Sequence, residues 1–207
     1  MLRVLRVVPV AAVAAALVLA GCDGGGSKGA SDAGRTSTTR STSTKPSSTS
    51  SPSTTVLCRF GGSTSPQRNA VVTDNQLLSA VTTGTAPCED TVTFTFLSSA
   101  APAPSYVIEY SAGPFADSAG RRVKPPGTAY LRVRFQPAWI ADFDQPSAPL
   151  TYTGPRVISP TGTKVVRGLA IYAAEEGVVG WIVGLDGKHP IKVDASPGRV
   201  SIAVSSR

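Results

Sequence analysis

In the stretch Thr91-Val92-Thr93-Phe94-Thr95-Phe96, apolar side chains alternate strictly with threonines. A period of two places Val92, Phe94 and Phe96 on one face of an extended strand and the threonines on the other. The same pattern returns twice. Leu131, Val133 and Phe135 alternate with Tyr130, Arg132, Arg134 and Gln136, which predicts a strand with its arginines in solvent. Val200, Ile202 and Val204 alternate with Arg199, Ser201 and Ala203 and predict a closing strand.

Other segments are apolar on both faces. Val165–Ala174 and Val178–Leu185 read as central strands, with Glu175-Glu176-Gly177 between them as a hairpin loop. Asp186-Gly187 and Ser196-Pro197-Gly198 then offer two further turns, so that about forty C-terminal residues predict a four-strand antiparallel meander. Strands are also expected near 91–97, 105–111 and 128–136, while Asp74–Thr82 is read as a short turn of helix. No long segment carries a helical period. Many short strands separated by regular turn signals give an all-β antiparallel sandwich, expected over residues 56–207.

The N-terminus has a different character. Arg3 and Arg6 precede an apolar run from Val7 to Ala20, the layout of a secretory signal over residues 1–21. About fourteen apolar residues fall short of the ~20 that a membrane-crossing helix needs. The run ends Leu19-Ala20-Gly21-Cys22, which resembles a bacterial lipobox. That resemblance implies cleavage behind Gly21 and lipidation of Cys22, whose acyl chains, at ~0.8 kcal/mol per buried CH₂, anchor the chain in a lipid bilayer. The expected location is the extracytoplasmic face of the cell membrane.

Residues 22–55 follow as a linker. Between positions 31 and 55, 17 of 25 residues are Ser or Thr, leaving almost nothing to bury against the entropy of ordering. As a flexible coil the linker has a root-mean-square reach of roughly 30 Å, enough to let a domain explore material near the membrane. Its composition suits an O-glycosylated stalk and a plain spacer equally.

With Cys22 lipidated, Cys58 and Cys88 are the remaining cysteines. An exported chain and an even remainder favour one disulfide between them. A single histidine, His189, and the lack of a third free cysteine argue against a structural zinc.

Charge narrows the partners. The formal net charge is +7, of which residues 56–207 hold +3 from 14 basic and 11 acidic side chains. Such a balance makes no case for nucleic acid, which is read from clustered basic stripes. Catalytic signals are equally thin: His189 reads as an exposed turn residue, and there is no nucleophile elbow, zincin motif or phosphate loop. Asp142 and Asp144 have calcium's oxygen chemistry in a loop with fewer acidic ligands than calcium normally takes. Glu175 and Glu176 read as polar hairpin residues. Trp139, Trp181, Tyr110, Tyr130, Tyr152 and Tyr172 are available to stack on sugars, but aromatic residues at strand spacing more often fill a core, Trp181 above all. Arg132 and Arg134 are the best candidates for binding an anionic ligand. No metal, cofactor or enzymatic activity is expected.

Taken in order, Glu89–Phe96, Tyr106–Tyr110, Leu131–Phe135, Tyr152-Thr153-Gly154-Pro155-Arg156, Gly184-Leu185-Asp186-Gly187 and Arg199–Val204 resemble the AMIN-like domain of actinobacterial secreted proteins and lipoproteins, over roughly residues 75–205. That family is related to the AMIN domain, a β-sandwich that targets cell-wall amidases and secretin channels to peptidoglycan. The resemblance implies a non-catalytic module that binds peptidoglycan or another cell-wall polymer, with an interaction scaffold for an envelope protein as the alternative. Thr91 stands where the family commonly has an arginine, so no ligand-contacting arginine carries over to that position.

Overall fold

The computed structural model describes residues 57–70, 75–97, 102 and 105–207. Cys22 and the linker that follows it lie outside the described residues. Among the described residues the chain forms thirteen strands: β1 (Gln67–Asn69), β2 (Gln76–Ala86), β3 (Glu89–Phe96), β4 (Tyr106–Tyr110), β5 (Phe115–Ala116), β6 (Arg122–Val123), β7 (Ala129–Phe135), β8 (Ala138–Trp139), β9 (Val157–Ile158), β10 (Val166–Glu175), β11 (Val178–Leu185), β12 (Ile191–Ser196) and β13 (Arg199–Ser205). They build a six-stranded sheet in the order β1-β4-β7-β11-β10-β9 and a five-stranded sheet in the order β12-β13-β3-β2-β8, with β5 and β6 as a separate hairpin. All neighbours are antiparallel except β2 and β8. The all-β class and its antiparallel sheets are as expected.

The alternation read in the sequence becomes the sandwich core. Val92, Phe94 and Phe96 from β3 and Val200, Ile202 and Val204 from β13 meet Leu131, Val133 and Phe135 from β7 and Trp181 from β11, all buried. The Phe94 ring lies 4.9 Å from Phe135 and 6.2 Å from Trp181 between centroids, and Tyr152 meets Trp181 edge-on at 5.7 Å. Such aromatic pairs add about 0.5–1.5 kcal/mol each beyond the area they bury.

One charged side chain closes the core at its end. Asp90 continues the inward face of β3 and is fully buried, and its Oδ2 accepts three backbone N–H groups, from Lys164 at 2.7 Å, Val165 at 2.6 Å and Val166 at 3.0 Å. The Lys164 ammonium in turn donates to the Ala86 and Pro87 carbonyls at 2.8 and 2.7 Å. The approach to β10 is thereby fastened to the β2–β3 turn.

Cys58 and Cys88 form the expected disulfide, with Cα atoms 5.4 Å apart. It holds the 57–70 segment at the β2–β3 turn. From there the segment crosses the β12 edge, where Ser63 and Ile191 exchange backbone hydrogen bonds of 2.9 and 2.8 Å, and enters the other sheet as β1.

Two expectations are corrected. The helical turn expected over Asp74–Thr82 is absent from its described part, residues 75–82, since Gln76–Ala86 is an eleven-residue strand whose register shifts between Leu78 and Ala80. The C-terminal meander is also broken. β10 and β11 form the expected hairpin, joined through Glu176 and Gly177 with φ of 52° and 72°, the conformation of a type I′ turn. β11 then pairs with β7, and the chain crosses at Asp186-Gly187 into the opposite sheet, where β12 and β13 pair.

Candidate functional site

The outward face of β7 carries Tyr130, Arg132 and Arg134. Arg132 stands opposite Glu109 of β4 and Ile182 of β11, and Arg134 stands opposite Val107 of β4 and Gly180 of β11. Residues directly opposite in an antiparallel pair share a face. Arg68 of β1, opposite Val107, therefore adds a third exposed guanidinium to the same side.

A glycine and a bulge bring an aromatic ring to these arginines. The β10–β11 register slips between Ile171 and Ala173, and Tyr172 lies at this bulge on the face opposite the core residues Leu169 and Ile171. Its ring then lies across Gly180, where a Cβ would come within 2.6 Å of it. Val107, Glu109, Arg132, Arg134, Tyr172 and Val178 together line a hollow of about 290 Å³.

The two arginines are held differently. Arg132 pairs with Glu109, with its side chain 46% exposed. Arg134 donates to the neutral Gln136 amide oxygen and pairs with no described carboxylate, so its charge stays uncompensated. Burial raises the Tyr172 phenol above its ordinary pKa, and Arg132 and Arg134 pull it partly back. Two guanidinium forks roughly 7 Å apart along one strand, beside an aromatic ring, offer bidentate donors to carboxylates or phosphates and a stacking surface.

The other candidates go elsewhere. Trp181 and Tyr152 are core. The Tyr110 hydroxyl donates to the His189 carbonyl at 2.5 Å and accepts its backbone N–H at 2.9 Å, which pins the β11–β12 crossover. His189 is not an exposed turn residue. Its side chain is only 19% exposed, and Nε2 lies 2.8 Å from Asp186 Oδ1, while Asp186 Oδ2 accepts from Arg167 at 2.8 Å. Asp142 caps its own loop, its Oδ1 accepting the Asp144 N–H at 3.1 Å. Among the described residues no group of three His, Cys, Asp or Glu is placed to hold a metal ion. Tyr172 is the member of the arginine site for which the sequence leaves stacking and core packing both open, and the sequence signal for its position is Gly180 in an otherwise bulky central strand.

The outward face of the six-stranded sheet thus displays Arg68, Arg132 and Arg134 beside the rings of Tyr130 and Tyr172. The AMIN-like domain matches residues 76–206, and the chain belongs to the AMIN-like family. No curated protein and no solved structure matches it. The family suggests a non-catalytic, cell-wall-associated module, and together with the disulfide it suggests an extracytoplasmic location.

Proposed function

We propose that this chain is a lipid-anchored extracytoplasmic protein whose AMIN-like domain holds peptidoglycan or another anionic cell-wall polymer on the outward face of the six-stranded sheet. In this reading residues 1–21 are a signal peptide, Cys22 carries the acyl chains, residues 22–55 are a disordered linker and residues 56–207 are the binding domain. The observation that carries the ligand assignment is the uncompensated Arg134 beside Arg132 and the Tyr172 ring on one exposed face. A polymer with repeated carboxylates or phosphates meets both guanidinium groups at once.

Co-sedimentation of the purified chain with cell-wall sacculi at low salt tests the ligand. Retention is expected, weakened by Arg132→Ala/Arg134→Ala and by added salt, which screens exposed charge. Cross-linking in intact cells that recovers one envelope protein, with no retention on sacculi, replaces the polymer with a protein partner. Metabolic labelling with a fatty-acid probe tests the anchor, with incorporation expected in the wild type and lost in Cys22→Ala.

A further inference from the structure

A second and larger hollow, of about 840 Å³, opens along the sheet beyond Tyr130. The β5–β6 hairpin forms one wall and Tyr130 of β7 the other, with Phe115 edge-on to Tyr130 at 5.6 Å between centroids. The Tyr130 hydroxyl donates to the Gly127 carbonyl at 2.7 Å, which fixes the ring.

The hairpin is built rigid at both ends. At its tip, Asp117 Oδ1 accepts the Ala119 and Arg121 N–H groups at 3.1 and 2.9 Å, and Oδ2 accepts the Arg121 side chain at 2.8 Å. At its base, Pro126 packs where Gly168 and Gly184 have no side chain. Arg122 stands opposite Ala116, on the other face of the hairpin from Phe115, and it and Lys124 line both this hollow and a neighbouring one of about 400 Å³; both are exposed and pair with no described carboxylate, because both oxygens of Asp117, the acid in this hairpin, are taken by Arg121 and its neighbours. The volume falls within the ~300–1,000 Å³ of small-molecule sites.

We infer that this hollow is a subsite for a sugar residue bearing an anionic substituent, a carboxylate or a phosphate. Phe115 and Tyr130 supply the apolar wall for the ring, and Arg122 and Lys124 bind the anion. The inference rests on the reading of the arginine face as a polymer site and extends it. Tyr130, Arg132 and Arg134 stand at successive outward positions of one strand, roughly 7 Å apart, so a single extended saccharide runs from the hairpin across Tyr130 to the arginines.

The full chain and its variants are titrated onto sacculi, untreated or stripped of phosphodiester-linked polymers by hydrofluoric acid. Arg122→Glu/Lys124→Glu is expected to weaken retention about tenfold or more through loss of two charge-assisted contacts, and Lys124→Ala to weaken it less. Phe115→Ser weakens retention without changing its salt dependence. Binding that survives the acid treatment assigns the anion to a peptidoglycan carboxylate; binding lost with it assigns a phosphate. If the hairpin variants are retained like the wild type while Arg132→Ala/Arg134→Ala is not, the subsite is overturned and the arginine-face reading stands. If the wild type is retained on neither preparation, both fall.

Discussion

Pro126 sits directly against Gly184: a methyl group at the glycine's Cβ position would lie 1.9 Å from the Pro126 carbonyl oxygen. The neighbouring Gly168 accepts the Pro126 ring in the same manner, with its Cβ position 2.6 Å from Cδ. Two missing side chains on adjacent central strands thus make the seat on which the β5–β6 hairpin rests. Gly184→Ala forces backbone apart, and overpacking of this kind costs typically 1–3 kcal/mol. Urea unfolding is expected to show a loss in that range or above it, and amide NMR shifts to spread from position 184 to Phe115 and Tyr130.

Gly180 seats a ring instead of a backbone, so its substitution has a different expected outcome. The Tyr172 side chain can swing away from a new Cβ, whereas the Pro126 carbonyl cannot. Gly180→Ala is expected to cost less than Gly184→Ala in the same unfolding measurement while weakening retention on sacculi. Equal losses of stability would show that Tyr172 is as constrained as the hairpin base.

Asp90 carries a heavier share of stability. A hydrogen bond to a charged group contributes about 1.5–3 kcal/mol, and one carboxylate oxygen here accepts three backbone donors inside the core. Asp90→Ala leaves the Lys164, Val165 and Val166 amides unsatisfied and is expected to destabilise the domain by about 4 kcal/mol or more. Asp90→Asn keeps an acceptor oxygen and loses less. Thermal unfolding of both variants checks the order.

The legible part of the fold follows from where regular alternation survives. β3, β7 and β13 each alternate between a buried face and a more open one, with only the terminal Ser205 of β13 out of step, so their apolar residues spell out the core. β2 is hidden because its bulge between Leu78 and Ala80 sets the inward-facing Leu78 and Val81 three residues apart, which resembles a helical spacing. The crossover at Asp186-Gly187 is hidden for another reason. A turn dipeptide fixes a local bend, while the partner of the next strand is chosen by Tyr110, Arg167 and the opposite sheet, all distant in sequence. At the candidate site, Arg132 and Arg134 are legible as solvent-facing, but Tyr172 belongs to a strand apolar on both faces, which marks neither as outward, and the hairpin hollow depends on two-residue strands too short to have a period.

The disulfide joins residues 30 apart in sequence. Closing a loop of that size restricts the unfolded chain, with a model value on the order of 3–4 kcal/mol. Cys58→Ser/Cys88→Ser is expected to lower stability by about that amount in denaturant unfolding, and dithiothreitol to reproduce the loss in the wild type but not in the variant. The 57–70 strap is expected to lose amide-exchange protection first, because the bond anchors its start.

Asp186 makes the β11–β12 crossover sensitive to acid. Burial opposes its ionisation, but hydrogen bonds from His189 and Arg167 outweigh that and hold its carboxyl below the ordinary value of 3.8. A carboxylate depressed in the folded state stabilises it above the unfolded pKa, and that stability is lost as pH falls through the lower, folded value. Asp186→Asn is therefore expected to be less stable than the wild type at neutral pH, by an amount that shrinks as pH falls below about 4. The side chain is 35% exposed, so solvent screening keeps the difference modest. Paired urea titrations across that range measure it; a gap that widens toward acid reverses the assignment.

Tyr172 reports directly on the arginines beside it. Burial raises its phenol, and Arg132 and Arg134 oppose the rise because cations stabilise the phenolate, while Glu109 adds to it. Removing the two cations should therefore move the Tyr172 pKa further up. A spectrophotometric titration at alkaline pH, with Tyr172→Phe subtracted to isolate the one phenol, is expected to place Arg132→Ala/Arg134→Ala above the wild type. Glu109→Gln removes an anion and is expected to move the phenol the other way, though it also frees Arg132 from its partner. An anionic ligand bound between the guanidinium groups neutralises them, so saturating the site with soluble wall fragments is expected to imitate the double alanine variant. A phenol that does not respond to the arginine substitutions would separate Tyr172 electrostatically from the site and leave it only a packing role over Gly180.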